Sequence, residues 1–347
     1  MKIFVNARFL TQPISGVQRY GIECSRQIKR LAESVTFLSP SNIIHHEVAK
    51  ELDVQVIGKN NGHLWEQNDL PKYLKKLSSP PLINLANTAP LRYHNNYITI
   101  HDLAFHLYPE WNSKIFAAWY NFMVPRIASR SKHIYTVSET IKEEIIRYYR
   151  IHPSKISVTY NGICSDMKCD FRALEKEKVI LSVGTFNVRK NQQNLVRAFV
   201  NSDLKNEYKL VLVGDRNKIF SESGLDINIE GCTNILVLEH ISTSELKEWY
   251  KRAALVVSLS RYEGFGIPLL EGLNYGCKIL CSHIPVYKEL YDGFATFCDP
   301  DNIESIVIAL REVCDMALLF DQTGINRLLE QYNYESSARK IISAINI

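Results

Sequence analysis

No stretch of the sequence approaches the roughly 20 consecutive apolar residues that a membrane-spanning helix needs. The most apolar run, "AALVVSL" from Ala253 to Leu259, is far too short, so no segment is expected to cross a bilayer. The amino terminus, "MKIFVNARFL", lacks the continuous apolar stretch of an export signal because Asn6 and Arg8 interrupt it. It reads as a first strand, and a cytoplasmic protein is expected. Eight cysteines, at positions 24, 164, 169, 232, 277, 281, 298 and 314, show neither Cys-x-x-Cys nor Cys/His zinc spacing. A chain of this length needs no disulfide staples, so these read as reduced thiols, mostly in the core. Low-complexity tracts are missing too, and with 46% apolar and 22% charged residues the chain falls among globular proteins. There is no G-x-G-x-x-G after the first strand with an acidic residue about 20 positions on, which counts against a dinucleotide enzyme.

What is present has a regular rhythm. The 347 residues suit two domains. In the first half, apolar runs ("KIFVNAR", "VTFLSP", "VQVIG", "PLINLAN", "YITIHDL", "HIYTVS", "KISVTY") alternate with helical stretches, including one from about Lys114 to Arg130. Such alternation implies a mostly parallel sheet covered on both faces. The pattern breaks from Asn161 to Lys178, where a linker is expected, and then resumes with "VILSVG", "YKLVLVG", "NILVLEH", "LVVSLS", "KILCS" and "ATFC". The expected division is residues 1–163 and 176–330, each Rossmann-like and doubly wound, with a terminal helix over about 331–347 returning to the first domain. Charge divides as well: residues 1–165 carry 20 Lys+Arg against 12 Asp+Glu, a net of +8, and residues 166–347 carry 21 against 25, a net of −4. The basic half suits nucleic acid, an anionic membrane or a phosphorylated substrate; an ordinary solvated surface accounts for it equally.

Open parallel sheets bind ligands beyond the carboxyl ends of their strands, and four loops there carry unusual residues. In "SGVQRY", Gly16 opens a helix whose unpaired N–H groups suit an anion, or simply serves a turn. In "ITIHDLAFH", His101 and Asp102 stand at a strand end, where a histidine hydrogen-bonds a sugar hydroxyl, steadies developing charge, or caps the next element. In "SVGTFNVRKNQQNL", Arg189 and Lys190 follow Gly184 and precede a helix starting near Asn191. Positive charge at a helix amino end is locally unfavourable, so a guanidinium and an ammonium there suggest a diphosphate clamp. The fourth loop, "RYEGFGIPLLEGLNYG", encloses a glycine-rich bend between Glu263 and Glu271. Pro268 fits a first helical turn, and Gly264 and Gly266 allow close backbone approach to a ligand. The two carboxylates can flank a polyol phosphate held by the intervening amides, or can be a cap and a solvated charge.

These residues resemble a known family. "EGFGIPLLE" is similar to the paired-glutamate motif of the family 4 retaining glycosyltransferases, which have the GT-B fold of two Rossmann-like lobes facing a central cleft. "HIYTVSE", "YNGI" and "VGTFNVRKN" extend the likeness over nearly the whole chain. The resemblance implies donor binding in the carboxy-terminal domain. Glu271 would hold the ribose of a nucleotide sugar, and Glu263 would lie near the transferred sugar. Arg189 and Lys190 would neutralise the diphosphate, the amides of Phe265, Gly266 and Ile267 would contact sugar and phosphate oxygens, and His101 would lie near the reacting carbon. Gly16 would give the acceptor and diphosphate close backbone access. No metal ion and no cofactor are implied. Thr185 stands where many relatives have arginine, as in a subgroup common among mannosyltransferases of bacterial surface polysaccharides. GDP-mannose as donor, a lipid-linked O-antigen or similar glycan as acceptor, peripheral contact with an anionic membrane at its inner face, and no nucleic acid partner are therefore expected. The competing readings are a non-catalytic nucleotide-sugar-binding protein and a GT-B-like epimerase or phosphorylase.

Overall fold

The computed structural model describes residues 2–164, 167, 169, 174–214, 233–316 and 321–345. The chain divides into two compact units, Met1–Asn161 with Tyr332–Ile347, and Gly162–Gln331. Part of the expected linker and Cys232 lie outside the described residues. Among the described residues, Cys24, Cys277, Cys281, Cys298 and Cys314 are free thiols.

The first unit is built on seven strands: β1 (Ile3–Asn6), β2 (Val35–Ser39), β3 (Gln55–Val56), β4 (Leu82–Asn84), β5 (Asn96–Ile100), β6 (His133–Thr136) and β7 (Ile156–Val158). Their order is β3-β2-β1-β4-β5-β6-β7, and each pairing is parallel. The central strands are buried on both faces, so they read as continuous apolar runs and do not alternate. Trp65 and Tyr93 pack with Phe4, Leu38 and Leu82 on one side, and the indole N–H of Trp65 donates to the Ile57 carbonyl at 2.8 Å. The helix Tyr334–Ser343 belongs to this unit and packs on Gly16–Leu31. Ser337 and Lys340 of that helix donate to the carbonyls of Tyr160 and Val158 at 2.7 and 3.1 Å, and Tyr135 donates to Ile341 at 2.9 Å.

The second unit repeats the plan with β8 (Glu177–Val183), β9 (Lys209–Val213), β10 (Ile235–Leu238), β11 (Ala253–Ser258), β12 (Lys278–Ser282) and β13 (Thr296–Cys298). All are parallel, in the order β10-β9-β8-β11-β12-β13. Local chemistry fixes the helix starts. Ser242 and Glu245 form a reciprocal capping box at Thr243–Arg252, and the side chain of Asn302 accepts from the Ser305 amide at 3.1 Å to open Ile303–Asp315.

In each sheet the strand order reverses once, between β1 and β4 and between β8 and β11. These switch points are where an open α/β sheet leaves a crevice for a ligand.

Candidate functional site

At the β8/β11 switch two loops meet. The turn after β8 carries Arg189 and Lys190 and ends at Asn191, whose left-handed backbone (φ 56°) caps the helix Gln192–Asn201. The loop after β11 carries Ser260, Arg261 and Glu263. Arg261 ties the first loop in place: its amide donates to the Arg189 carbonyl and its Nη1 to the Val188 carbonyl, both at 2.8 Å. Its Nε donates to Asp301 Oδ1 at 2.7 Å. Asn191 and Asn194 donate to the Pro300 carbonyl at 2.7 and 2.9 Å.

Glu263 lies beneath the two cations. Its Oε1 accepts from Lys190 Nζ in a short ion pair and from Ser260 Oγ at 2.8 Å, and Arg189 Nη1 is 3.8 Å from Oε2. Burial pushes the Glu263 carboxyl up, but Lys190 and Arg189 outweigh it and hold the group below the usual glutamate value. The unfavourable positive charge at the start of Gln192–Asn201 is thus answered by a carboxylate 73 residues away in sequence. Arg189 and Lys190 both retain partial exposure beside the buried carboxylate.

The bend after Glu263 leads into the helix Ile267–Asn274, with Gly266 as its N-cap and Pro268 in the first turn. Gly266 has φ +92°, and a Cβ there would lie 2.5 Å from Cε1 of Tyr287. Its lack of a side chain is therefore required by backbone shape and tyrosine packing, beyond any approach by a ligand. Phe265 is buried, and Tyr291 donates to the Gly266 carbonyl at 2.9 Å. Glu271 is buried within the helix, and its Oε2 accepts from Tyr250 Oη at 2.7 Å. Gly184 leaves β8 with its amide bonded to the Val213 carbonyl and its own carbonyl accepting from Gln192 Nε2 at 3.1 Å. Neighbouring Gly214 is constrained by the same crossing: a Cβ on it would meet the Gly184 carbonyl oxygen at 2.1 Å.

The remaining sequence candidates lie in the first unit. His101 follows β5, buried, with Nε2 2.9 Å from the Leu85 carbonyl and its ring edge-on to Tyr20. Burial lowers its pKa, against a smaller upward pull from the Leu85 carbonyl and Asp102, so the ring is neutral at neutral pH. Asp102 does the local capping, its Oδ1 accepting from the Ala104 amide at 3.0 Å. Gly16 is exposed as the first residue of Gly16–Leu31, preceded by an extended Ser15. Sequence reading missed Ser260, Tyr250, Tyr287 and Gly214, which support the named residues from other elements.

Two Rossmann-like parallel-sheet domains, each with one switch point, are the architecture of the GT-B glycosyltransferases. Comparison with known proteins agrees. Residues 167–326 match the family described as Glycosyl transferases group 1, and residues 14–166 match Glycosyltransferase Family 4. The chain is 30% identical over 258 residues to the O-antigen chain mannosyltransferase RfbU of Salmonella typhimurium, covering 74% of this chain and 70% of that protein. It is 24% identical over 344 residues to the O-antigen chain mannosyltransferase B of Escherichia coli, covering 88% of each. A crystal structure of Anabaena HepE in complex with UDP superposes with a TM-score of 0.76 at 13% identity, covering all of both chains. The chain belongs to the family 4 glycosyltransferases, and its two Rossmann-like parallel-sheet domains have the GT-B fold. It is a glycosyltransferase whose relatives include mannosyltransferases of O-antigen synthesis.

Proposed function

We propose that the protein moves a hexose, with retention of anomeric configuration and without a metal ion, from a nucleoside-diphosphate sugar to a hydroxyl of a growing, lipid-linked surface glycan. The observation that carries this reading is the Lys190–Glu263–Arg189 cluster beside the amino end of Ile267–Asn274 at the β8/β11 switch. Its two partly exposed cationic side chains suit a diphosphate, as do the N–H groups that open the helix. GDP-mannose is the proposed donor, supported by the mannosyltransferase relatives.

In this reading Arg189 and Lys190 bind the diphosphate and gain strength as charge builds on it when the bond to the sugar breaks. Glu263 keeps both cations charged and aimed. The amides of Phe265, Gly266 and Ile267 contact sugar and phosphate oxygens, with Gly184 shaping the adjacent strand end. Glu271, steadied by Tyr250, takes the ribose hydroxyls. In the first domain, neutral His101 serves as a hydrogen-bonding partner for the sugar and not as a cation, with Asp102 fixing the backbone after it and Gly16 giving access to the acceptor. The acceptor hydroxyl attacks on the face the diphosphate leaves, and its proton passes to the departing phosphate.

A lipid-linked acceptor requires a membrane surface, which we place at the inner face of the cell membrane. No described helix is long and apolar enough to cross a bilayer. The helix Lys114–Arg130 instead exposes Ile115, Phe116, Trp119 and Phe122, with the Arg126 guanidinium over the Phe122 ring. Apolar side chains beside cations suit an anionic interface. Vesicle binding that falls as salt rises is expected, and absence of binding removes the membrane from the reading.

The donor is tested by thermal shift with UDP, GDP, ADP and their sugars. Stabilisation by GDP and GDP-mannose above the others is expected; preference for another base replaces the proposed donor. Wild-type affinity for nucleoside diphosphate in Lys190→Ala, measured by calorimetry, overturns the clamp.

A further inference from the structure

The helix Pro285–Tyr291, which follows β12, carries a tyrosine that meets both ends of the bend after Glu263. Tyr287 is fully buried, and its Oη lies 2.7 Å from Ser258 Oγ at the end of β11. Ser258 Oγ lies 3.4 Å from Ser260 Oγ, and Ser260 donates to Glu263 Oε1 at 2.8 Å. Each hydroxyl has one proton to give. Ser260 gives its proton to the carboxylate, so it accepts from Ser258, and Ser258 in turn accepts from Tyr287. The chain therefore runs one way, from the phenol through two serines to the oxygen that also receives Lys190. Burial raises the Tyr287 pKa and the Glu263 charge raises it further, so the phenol keeps its proton and remains the donor end. Its ring faces the other end of the bend, where a Cβ on Gly266 would lie 2.5 Å from Cε1. Tyr291, one turn on, shows that a buried phenol here needs no such chain, since it donates directly to the Gly266 carbonyl at 2.9 Å.

We infer that Tyr287 is a positioning residue of the donor site: through Ser258 and Ser260 it fixes the roll of the Glu263 carboxylate, and through its ring it sets the Gly266 N-cap. Acid and helix amides are thereby held at one spacing. The inference rests on the donor reading above, in which the diphosphate meets the cations and amides while the transferred sugar meets Glu263. Lys190 reaches Oε1 on a flexible stem and supplies charge, with little hold on the orientation of the carboxylate. Ser260, buried on the loop after β11, supplies that hold, and its proton stays on Oε1 because Ser258 engages its oxygen from behind. Loss of the phenol hydroxyl lets Ser258 and then Ser260 turn, which loosens the carboxylate and leaves the cations and the ring packing in place. The expected signature is a slower bond-breaking step with diphosphate binding intact.

The test has two arms on the full chain. In the first, urea midpoints are measured for Tyr287→Phe, Glu263→Gln and the double variant. The two residues stand two serines apart, so their losses add unless the chain links them. A loss in the double variant clearly smaller than the sum is expected; simple addition overturns the relay. In the second arm, release of GDP from GDP-mannose, with water in place of the acceptor, is followed beside calorimetry of GDP. Tyr287→Phe and Ser258→Ala should each lower kcat about tenfold, and combining them should lower it no further. KM and GDP affinity should stay within about twofold, which a general loosening of the domain would not allow. Unchanged kcat in both single variants overturns the positioning role even where the urea cycle is coupled. A wild-type chain that binds none of GDP, UDP and ADP, or releases none of them from their sugars, removes the proposed function and this role with it; a wild-type chain active with unaffected variants removes this role alone.

Discussion

At the β8/β11 switch one buried carboxylate, Glu263, faces two cations; at the β1/β4 switch one buried carboxylate, Glu66, faces the buried Arg8 guanidinium at 3.1 Å and, at 3.4 Å, the His63 imidazole. The sheets share a topology, so the difference lies in what the loops bring to equivalent places. Two partly exposed cations suit an anion that arrives and departs. A neutral, buried pair held by Asn6 and Thr88 fixes the loops instead. What the loops bring to the switch point therefore separates the proposed diphosphate site from a buried structural pair on the same scaffold.

The largest expected effect is on stability and comes from the neutral site. Glu66→Ala strands the buried Arg8 without its partner, which should cost about 3–5 kcal/mol in urea unfolding. Acid probes the same pair. The folded-state pKa of Glu66 lies below its ordinary 4.5, at about 2. Its contribution is therefore complete above pH 4.5 and lost as pH falls toward 2, on the order of 3 kcal/mol in all. The urea midpoint of Glu66→Gln should fall less steeply over that window than that of wild type. Equal slopes would mean that the carboxylate does not carry the acid sensitivity.

At the cationic site the effect should appear in turnover. In the proposed mechanism Lys190→Ala removes a charge next to the leaving group, and it should lower kcat about a hundredfold, the usual scale for one preorganised donor. A drop confined to KM would show that Lys190 binds the ground state and the transition state alike. Tyr250→Phe should act more mildly. Without its 2.7 Å hydrogen bond Glu271 is less fixed, and donor affinity should fall about tenfold, the scale of a hydrogen bond to a charged group. Unchanged calorimetric affinity would remove Glu271 from the proposed ribose contact.

Much of this was legible because the signals are local. Continuous apolar runs marked the buried parallel strands, Pro268 marked the start of its helix, and Arg189–Lys190 before a helix marked a charge mismatch that required an answer. The answer itself, Glu263 supported by Ser260, was not legible as a contact, since the partners lie 73 residues apart and only the fold joins them. The sequence reading treated Glu263 and the cations as separate parts; they form one cluster. Glu66 gave less warning still. Its partners Asn6, Arg8 and Thr88 lie 60, 58 and 22 residues away. A usable signal did exist: the apolar strands "IFVN" and "LIN" each end on asparagine, and Arg8 follows a fully buried strand. Polar residues closing buried strands at a switch point need partners.

The smallest predicted effect bears on how the cationic loop is held. Asp301 pairs with Arg261 at the surface, where such bridges contribute about 0.2–1 kcal/mol. Arg261 also holds the loop through the carbonyls of Val188 and Arg189. Asp301→Asn leaves both of those bonds in place, so unfolding free energy should change by under about 1 kcal/mol and donor affinity by under about threefold. Arg261→Ala removes its side-chain bond to the Val188 carbonyl and should loosen the loop further, raising KM for the donor more than Asp301→Asn does. If Asp301→Asn instead lowers kcat as far as Lys190→Ala, then Asp301 acts on the reacting groups and not on the loop, and the cluster that sets charge balance at this switch point would have to include it.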